Sequence, residues 1–232
     1  MQNSKPILFS TPMVQAILAG RKTQTRRVVK ITDKEHEYNI QYACRTKELV
    51  FKPLIDDVFK TAQYKKGDIL YVRETFHPND YEDIIFKADC PKHWTATDAV
   101  WGDIDTDSIE RWKPSIHMPR EYARIFLKVT DVRVERLHDI EDDTDNFLSE
   151  GYPDSYELKE PKRFYSNDMH GEVDYCDDCM IEWWETLWNS TSKDGYKWED
   201  NPYVFVYEFE RVDKEYVDAL HLAMPADYED LG

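Results

Sequence analysis

The feature of this sequence that most constrains its fold is a long alternating stretch, ARIFLKVTDVRVERL, at Ala123–Leu137. Its apolar residues recur mainly at every second position, so the stretch predicts one long β-strand or a bulged pair of strands. A second run, NPYVFVYEFERV at Asn201–Val212, predicts another strand. The remaining strand-like runs are Ile7–Phe9, Arg27–Ile31, a hairpin-like pair at Tyr38–Cys44 and Glu48–Lys52, Asp68–Phe76, and Asp83–Asp89.

Helical patterns lie between these strands. The segment TPMVQAIL has apolar residues four apart and is followed by Gly20, which is typical of a helix end. Asp139–Gly151 predicts a capped acidic helix, and Cys176–Ser190 predicts an amphipathic helix whose tryptophans pack in the core. Strands mixed with helices, without regular strand–helix alternation, predict an α+β fold or a fold centred on a β-barrel.

The length of 232 residues favours one domain. We expect it to cover residues 1–212, with polar insertions at about 91–111 and 152–175, and to be followed by an acidic tail at 213–232 that forms a marginal helix or stays disordered. The sequence has no run of 18 apolar residues and no signal-peptide pattern at its N-terminus. These features predict a soluble, cytoplasmic protein that does not bind membranes.

Charge is distributed unevenly along the chain. The net charge is -17, yet residues 1–32 contain six Lys and Arg and no Asp or Glu, which leaves 24 basic and 47 acidic residues in the rest. An acidic surface repels a polyanion, so extended duplex nucleic acid is excluded as a partner. A small anion, a nucleotide or one exposed base in a local basic pocket remains compatible with this distribution.

The basic segment GRKTQTRR, Gly20–Arg27, is the first candidate site. Lys22 and Thr25 are three residues apart, so their side chains converge only if the chain turns there, and the neighbouring cations would then lower the pKa of Lys22. A neutral lysine beside a threonine hydroxyl can serve as a general base beside a nucleophile. The spacing alone leaves three interpretations open: a catalytic pair, an anion-binding loop that uses Arg21, Arg26 and Arg27, or a solvated basic turn.

Two pairs of soft ligands form the second candidate site. CPKH contains Cys90 and His93, and CDDC contains Cys176 and Cys179. This ligand set is typical of a tetrahedral structural zinc site, which would join the two insertions. Four ordinary thiol and imidazole side chains without a metal are the alternative interpretation.

Three further charged or polar positions are candidates. Arg73 and Glu74 are adjacent in a predicted strand and therefore face opposite sides, so an inward-facing Glu74 needs a partner, such as a residue of the basic segment. PSIHMPR holds His117 and Arg120 in a stiff loop, as expected of either a binding or a structural role. By its local sequence Glu150 is a solvated carboxylate.

Taken in order, several of these stretches resemble one family. They are similar to ASCH-domain proteins, particularly the long versions common in bacteriophages and prophages. The stretches are KPILFSTPMVQAILAGRKTQTRR, GDILYVRETF, WKPSIHMPREYARIFLKVTDVRVERLHDI, SEG, and LWNS with NPYVFVYEF. The resemblance covers most of residues 5–210 and implies a PUA-like fold, a small β-barrel with flanking helices and two inserted segments. Such a fold has a cleft associated with RNA or modified nucleosides.

The resemblance also implies a chemistry. Short bacterial members of the family include an amidohydrolase that removes the acetyl group of N4-acetylcytidine with a lysine and a threonine of a G-x-K-x-x-T loop and a later glutamate. Lys22 and Thr25 match that loop and Arg27 its following arginine, whereas the glutamate matches Glu150 or, second, Glu74. Thr25 or a water would attack the acyl carbonyl, Lys22 would take the proton, and the glutamate would assist the leaving nitrogen, with substrate contacts from Arg21, Arg26, Arg27, Arg73, His117 and Arg120. No cofactor is required for catalysis.

Two other functions stay open. The same pocket could bind a modified nucleotide or single-stranded RNA without hydrolysis. Alternatively, the acidic surface could engage a basic host protein, in the host cytoplasm if the protein is phage-encoded.

Overall fold

The computed structural model describes residues 4–45, 58–78, 84–90, 111–153 and 177–223, and the chain is α+β, as the sequence predicts. The strands are β1 (Lys5–Leu8), β2 (Gln24–Val28), β3 (Ile69–Arg73), β4 (Phe76–Pro78), β5 (Ile84–Phe86), β6 (Phe126–Arg136) and β7 (Tyr203–Val212). The α-helices are α1 (Thr11–Leu18), α2 (Lys34–Arg45), α3 (Thr144–Ser149), α4 (Asp177–Thr191) and α5 (Lys214–Ala223).

Five strands form a mixed sheet in the order β1-β3-β6-β7-β2. β1 pairs with β3 in parallel, whereas the pairs β3–β6 and β2–β7 are antiparallel. β4 and β5 form a separate antiparallel pair. In the described part of the chain the five-stranded sheet has two open edges, β1 and β2, and does not close into a barrel.

The chain divides into two compact units, each with its own apolar core. The first unit comprises Met1–Ala19, Gly67–Val129 and Phe209–Gly232, and the second comprises Gly20–Lys66 and Thr130–Glu208. The core of the first unit contains Ile69, Phe76, Met118, Ala123, Phe126 and Val217. The core of the second contains Leu137, Ile140, Phe147, Tyr152, Met180, Trp184, Trp188, Trp198, Val204 and Val206.

Elements with a strong period are confirmed. Ala123–Leu137 contains the single long strand β6, Asn201–Val212 contains β7, and Cys176–Ser190 contains α4. On α4, Trp184 and Trp188 are buried in the core of the second unit and Trp183 packs against it, as expected from their helical spacing. The prediction of one domain with two insertions and a tail stays a prediction, and most of both insertions lies outside the described residues.

Two strand predictions are wrong. Tyr38–Cys44 belongs to helix α2, where the buried residues His36, Asn39 and Ile40 follow helical spacing and the Asp33 carboxylate accepts a hydrogen bond from the backbone N–H of His36 at 2.8 Å. Its predicted hairpin partner, residues 48–52, lies outside the described residues. The strand predicted from Arg27 instead begins at Gln24, inside the basic segment.

A search of the described helices for one long and apolar enough to cross a membrane finds none.

Candidate active site

The basic segment lies against the C-terminal end of α3, in the second unit. Helix ends leave backbone carbonyls without intrahelical partners, and the helix dipole makes this end negative, so donors and cations are favoured there. Four consecutive residues of the segment donate hydrogen bonds to this end. The pairs are Arg21 Nη1 with the Tyr152 carbonyl (3.0 Å), Lys22 Nζ with the Glu150 carbonyl (2.8 Å), the Thr23 backbone N–H with the Ser149 carbonyl (2.8 Å), and Gln24 Nε2 with the Asn146 carbonyl (2.9 Å).

Local sequence determines where α3 begins and ends. The carboxylate of Asp143 accepts a hydrogen bond from the Asp145 backbone N–H at 3.0 Å and caps the N-terminus. Gly151 has φ +91°, a left-handed conformation that stops the helix immediately after Glu150. This stop places the Glu150 side chain beside the basic segment.

Glu150 joins two cations in a buried cluster. Its Oε2 lies 2.7 Å from Lys22 Nζ and its Oε1 lies 2.9 Å from Arg26 Nη1. Arg26 Nη2 also contacts Glu135 Oε2 on β6 at 3.2 Å. Lys22 is 3% exposed, Arg26 2% and Glu150 1%. The expectation of a solvated Glu150 is therefore wrong, because the end of α3 turns the carboxylate inward against Lys22 and Arg26.

The environment of Lys22 favours its neutral form. Burial lowers the pKa of Lys22 most strongly, the Glu150 carboxylate opposes this effect, and the charges of Arg27 and Arg26 lower the pKa further. A lysine with a lowered pKa can accept a proton near neutral pH more readily than an ordinary lysine. The cluster thus has a group suited to general-base chemistry.

Thr25 lies on β2 and faces the opposite side of the sheet from Arg26, because side chains alternate along a strand. Its Oγ1 accepts a hydrogen bond of 2.7 Å from Arg27 Nη1, two residues further along the same face. Burial lowers the pKa of Arg27, and Tyr64, Glu150 and Tyr207 oppose that effect. Arg27 therefore links the Thr25 hydroxyl electrostatically to the pair formed by Lys22 and Glu150.

Glu74, the second glutamate candidate, belongs to an ion-pair cluster of the first unit. It is 1% exposed, and both of its carboxylate oxygens accept hydrogen bonds from Arg124, at 2.9 Å from Nε and 3.0 Å from Nη2. Arg124 also contacts Asp89 at 2.6 Å. Burial raises the pKa of Glu74, and the bonds and charge of Arg124 oppose the rise. The described partner of Glu74 is thus Arg124, which supports the structural interpretation of this residue.

The remaining predicted binding residues lie in the first unit. Arg73 donates from Nε to the Met118 carbonyl at 2.9 Å and from Nη2 to the Ile116 carbonyl, so it anchors the PSIHMPR loop. Arg120 Nε donates to Ser4 Oγ at 2.6 Å, and His117 is exposed at the end of a 3₁₀ turn. Substrate contacts from Arg73, His117 and Arg120 stay predictions.

The four predicted zinc ligands are only partly described. His93 and Cys176 lie outside the described residues. Cys90 is half-buried in the first unit with its Sγ 3.6 Å from the Phe86 carbonyl, and Cys179 is half-buried on α4 of the second unit. Among the described residues, no group of three or more His, Cys, Asp and Glu side chains is arranged to hold a metal ion. The zinc site stays a prediction.

Sequence reasoning misses Glu135, Tyr207 and Tyr64. Glu135 contacts Arg26 although β6 and β2 are not adjacent strands, and Tyr207 is the direct cross-strand partner of Thr25. Both relations depend on strand order and register, which no local pattern in the sequence reveals. Tyr64 precedes β3 and packs its ring against Tyr207 with ring centroids 5.2 Å apart.

Comparisons of the chain with models of protein families, with curated proteins and with solved structures find no match.

Proposed function

We propose that this protein is a nucleoside-directed amidohydrolase that removes an acyl group from the exocyclic amine of a modified base such as N4-acetylcytidine. The observation that carries the proposal is the buried contact of 2.7 Å between Lys22 Nζ and Glu150 Oε2. It unites a base and an acid from positions 128 residues apart. These are the positions that the resemblance to ASCH-domain proteins selects.

Amide hydrolysis needs a nucleophile, a base and a proton for the departing amine. In the proposed reaction the Thr25 hydroxyl, or a water that it orients, attacks the acyl carbonyl and gives its proton to neutral Lys22. The proton then passes to the exocyclic nitrogen as the C–N bond breaks, through Glu150, which lies in hydrogen-bond contact with Lys22. If Thr25 attacks, the acyl group stays on its oxygen as an ester, which a water then hydrolyses with Lys22 again accepting the proton. Either route consumes one water and gives the free base-amine and a carboxylic acid.

Arg27 is placed to stabilise the transition state. Its Nη1 donates to Thr25 Oγ1 at 2.7 Å, so its charge lies beside the atom that would attack the carbonyl. A cation at this point favours the negative charge that develops on the acyl oxygen. Glu150 is preferred to Glu74 as the acid because Glu150 contacts Lys22, whereas both oxygens of Glu74 are held by Arg124.

The proposal also assigns the α+β chain to a specific fold. We propose that the domain is a PUA-like ASCH domain, with a pocket that takes a single base. The α+β architecture is compatible with this assignment, although the five-stranded sheet does not close into the β-barrel that the resemblance implies within the described residues.

The test is turnover of a panel of N-acylated nucleosides by the full chain, with products identified by mass spectrometry. We expect free base-amine from at least one member. Lys22→Ala and Thr25→Ala should each lower kcat by about 100-fold or more, because each removes a reacting group. Lys30→Ala and Thr23→Ala are matched controls, since both positions are exposed and close in sequence to Lys22 and Thr25. Absence of turnover across the panel would refute the enzyme proposal.

A second function is favoured by the balance of charge in the site. When Lys22 is protonated, the three cations Lys22, Arg26 and Arg27 exceed by one the carboxylates of Glu150 and Glu135 that they meet, an excess suited to a small anion. A module that binds a modified nucleotide or single-stranded RNA without hydrolysis would show saturable binding. Its salt dependence should correspond to only a few phosphate contacts.

A further inference from the structure

Arg26 bridges two carboxylates that come from different elements of the second unit. Its Nη1 lies 2.9 Å from Glu150 Oε1, at the end of α3, and its Nη2 lies 3.2 Å from Glu135 Oε2, on β6. The Arg26 side chain is 0% exposed. Both terminal nitrogens of Arg26 are therefore engaged by carboxylates of the protein and are not directed to solvent.

The strand order explains why an arginine forms this bridge. β7 lies between β2 and β6, and the β7 residue paired with Arg26 is the buried Val206. Neighbouring strands lie about 4.8 Å apart, so β2 and β6 are separated by about 10 Å. Arg26 must extend across the position of Val206 to reach Glu135. A long side chain opposite a small one meets this requirement.

Glu135 is itself held in place by a second set of contacts. Arg133 Nε donates a hydrogen bond to Glu135 Oε1, and Arg133 Nη2 donates to Gln24 Oε1 at 3.1 Å. Gln24 Nε2 in turn donates to the Asn146 carbonyl of α3 at 2.9 Å. These contacts fix Glu135 relative to α3, the helix at whose end Glu150 lies.

Neither carboxylate depends on Arg26 alone for a partner. Without Arg26, Glu150 would keep Lys22, at 2.7 Å, and Glu135 would keep Arg133. The buried Nε of Arg26 has no hydrogen-bond partner among the described residues, and an unsatisfied buried donor lowers stability. A buried ion pair is also weak evidence for stability. These observations favour a role of Arg26 in the geometry of Glu150 over a role in stability alone.

We infer, on the premise of the function proposed above, that Glu135 is a positioning residue of the proposed reaction and acts through Arg26 on Glu150. Because Arg26 engages Oε1 of Glu150, Oε2 is presented to Lys22 in one defined geometry. The proton that Lys22 accepts then has a fixed path through Glu150 to the leaving nitrogen. Glu135 contributes by holding the guanidinium group of Arg26 in place.

Arg26 and Glu135 should affect the charge state of Lys22 in opposite directions. Burial lowers the pKa of Lys22 most strongly, Glu150 opposes this effect, and the charges of Arg27 and Arg26 lower the pKa further. Removal of the charge of Arg26 should therefore raise the pKa of Lys22. Removal of the Glu135 carboxylate, which offsets the charge of Arg26, should lower it.

The test is the titration of Lys22 in the full chain, followed by NMR of protein labelled with ¹³C at lysine Cε. The Lys22 signal is identified by its loss in Lys22→Met. We expect the titration midpoint to rise by about half a pH unit in Arg26→Met and to fall by about half a pH unit in Glu135→Gln. In Arg26→Met/Glu135→Gln the midpoint should match that of Arg26→Met, because Glu135 acts through Arg26.

Glu141→Gln is the matched control, since it removes an exposed carboxylate of the second unit that is not among the described contacts of Arg26. It should leave the Lys22 midpoint unchanged. The thermal unfolding midpoint checks the folding of each variant, and Arg26→Gln replaces Arg26→Met if the latter does not fold. An unchanged Lys22 titration in Glu135→Gln would overturn the inference, as would an equal effect of Glu135→Gln with and without Arg26.

Turnover gives a second readout. At a pH above the Lys22 titration, kcat of Glu135→Gln should fall about tenfold while KM stays within about twofold, because Glu135 positions the acid without contacting the substrate. A purely structural role would lower the thermal unfolding midpoint and leave kcat of the folded variant unchanged. A raised KM with unchanged kcat would also overturn the inference.

Failure of this inference can be distinguished from failure of the proposed function, because the Lys22 titration is measured without substrate. If the titration responds as expected and no acylated nucleoside is hydrolysed, the coupling through Arg26 stands and the enzyme proposal fails. If an acylated nucleoside is hydrolysed and Glu135→Gln changes neither kcat nor the titration, the enzyme proposal stands and this inference fails.

Discussion

Glu150 illustrates how a residue acquires a role that its neighbours in sequence do not indicate. Its local sequence, in an acidic segment before Gly151, is typical of a solvated carboxylate. In the structure it is 1% exposed and holds Lys22 and Arg26. The family resemblance selects this position, and in the structure its carboxylate contacts Lys22, 128 residues away in the sequence. The burial of Glu150 depends on this long-range packing and could not be read from its local sequence.

The lowered pKa of Lys22 predicts a pH dependence of stability. The unfolded lysine titrates near 10.5, and the folded one titrates lower because of burial. Between the two pKa values the unfolded state binds more protons, so the free energy of unfolding should rise with pH across this window. Lys22→Met has no titrating group at this position, so its free energy of unfolding lacks the rise with pH that Lys22 causes. Urea unfolding at several pH values from about 7 to about 10 should therefore show the wild type gaining stability relative to Lys22→Met. A difference that stays constant or falls with pH would contradict the lowered pKa.

The pair formed by Glu74 and Arg124 predicts that the cost of losing Arg124 grows with pH. Arg124→Met leaves Glu74 in a buried site without its partner, which should cost about 3 kcal/mol of unfolding free energy at neutral pH. Burial raises the pKa of Glu74, and loss of Arg124 should raise it further, so the cost should shrink as pH falls and Glu74 becomes protonated.

Lys128→Met is the control for this measurement, because its pair with Glu210 is exposed, at 36% and 53%, and should contribute little to stability. Denaturant unfolding from about pH 5 to about pH 7 measures both variants. An Arg124→Met cost no larger than that of Lys128→Met would show that the Glu74 pair is not structural.

At the level of elements, the end of α3 positions the site. Four consecutive residues of the basic segment donate to carbonyls at this end, and Gly151 stops the helix with φ +91°. The positive charge of GRKTQTRR is thus explained partly by the helix end that it contacts. Lys22 donates to both the carbonyl and the carboxylate of Glu150, so it binds the helix end and the proposed catalytic glutamate together.

Gly151→Ala tests this positioning. A side chain at φ +91° is strained, so the variant should lose about 1 kcal/mol of unfolding free energy and also lose turnover, because Glu150 precedes the strained residue. Gly195→Ala is a matched control, since Gly195 has φ +82° and is exposed. It should lose similar stability and keep its turnover. Equal turnover in both variants would show that the end of α3 does not position Glu150 for the reaction.

Elements with a single strong period were predictable from the sequence, and elements defined by competing signals were not. β6 has apolar residues mainly at alternate positions, β7 opens with a run of β-favouring apolar residues, and α4 has a clear helical face, so each could be placed from its own residues. Tyr38–Cys44 has both β-favouring residues and helical spacing. The Asp33 side chain caps the start of α2 and thereby favours the helix over a strand. The face of the sheet on which the Thr25 side chain lies depends on β2 beginning at Gln24. The charged residues of the basic segment give no strand pattern from which this start could be predicted.

At the scale of the whole molecule, the chain's acidity and its local basic sites are complementary. A net charge of -17 disfavours long polyanions, while the cations around Glu150 are compatible with a small anion. We therefore expect the molecule to bind small anionic ligands in preference to extended nucleic acid.

The predicted zinc site involves distant parts of the chain, since it would join the insertions at about 91–111 and 152–175. If Cys90, His93, Cys176 and Cys179 bind zinc, protein purified without chelators should contain about one zinc per chain, given the affinity of structural sites. Elemental analysis measures this directly, with Cys176→Ser/Cys179→Ser as the comparison. Zinc below about a tenth of an equivalent in the wild type would exclude the site.

The most direct test of the central proposal is incubation of the full chain with N4-acetylcytidine in ¹⁸O-labelled water, followed by mass spectrometry of both products. Hydrolysis of the amide predicts unlabelled cytidine and acetate that carries one ¹⁸O, with both products lost in Lys22→Ala and Thr25→Ala and retained in Thr23→Ala. Unchanged N4-acetylcytidine, or turnover that persists without Lys22 and Thr25, would contradict the assignment of the reaction to this site.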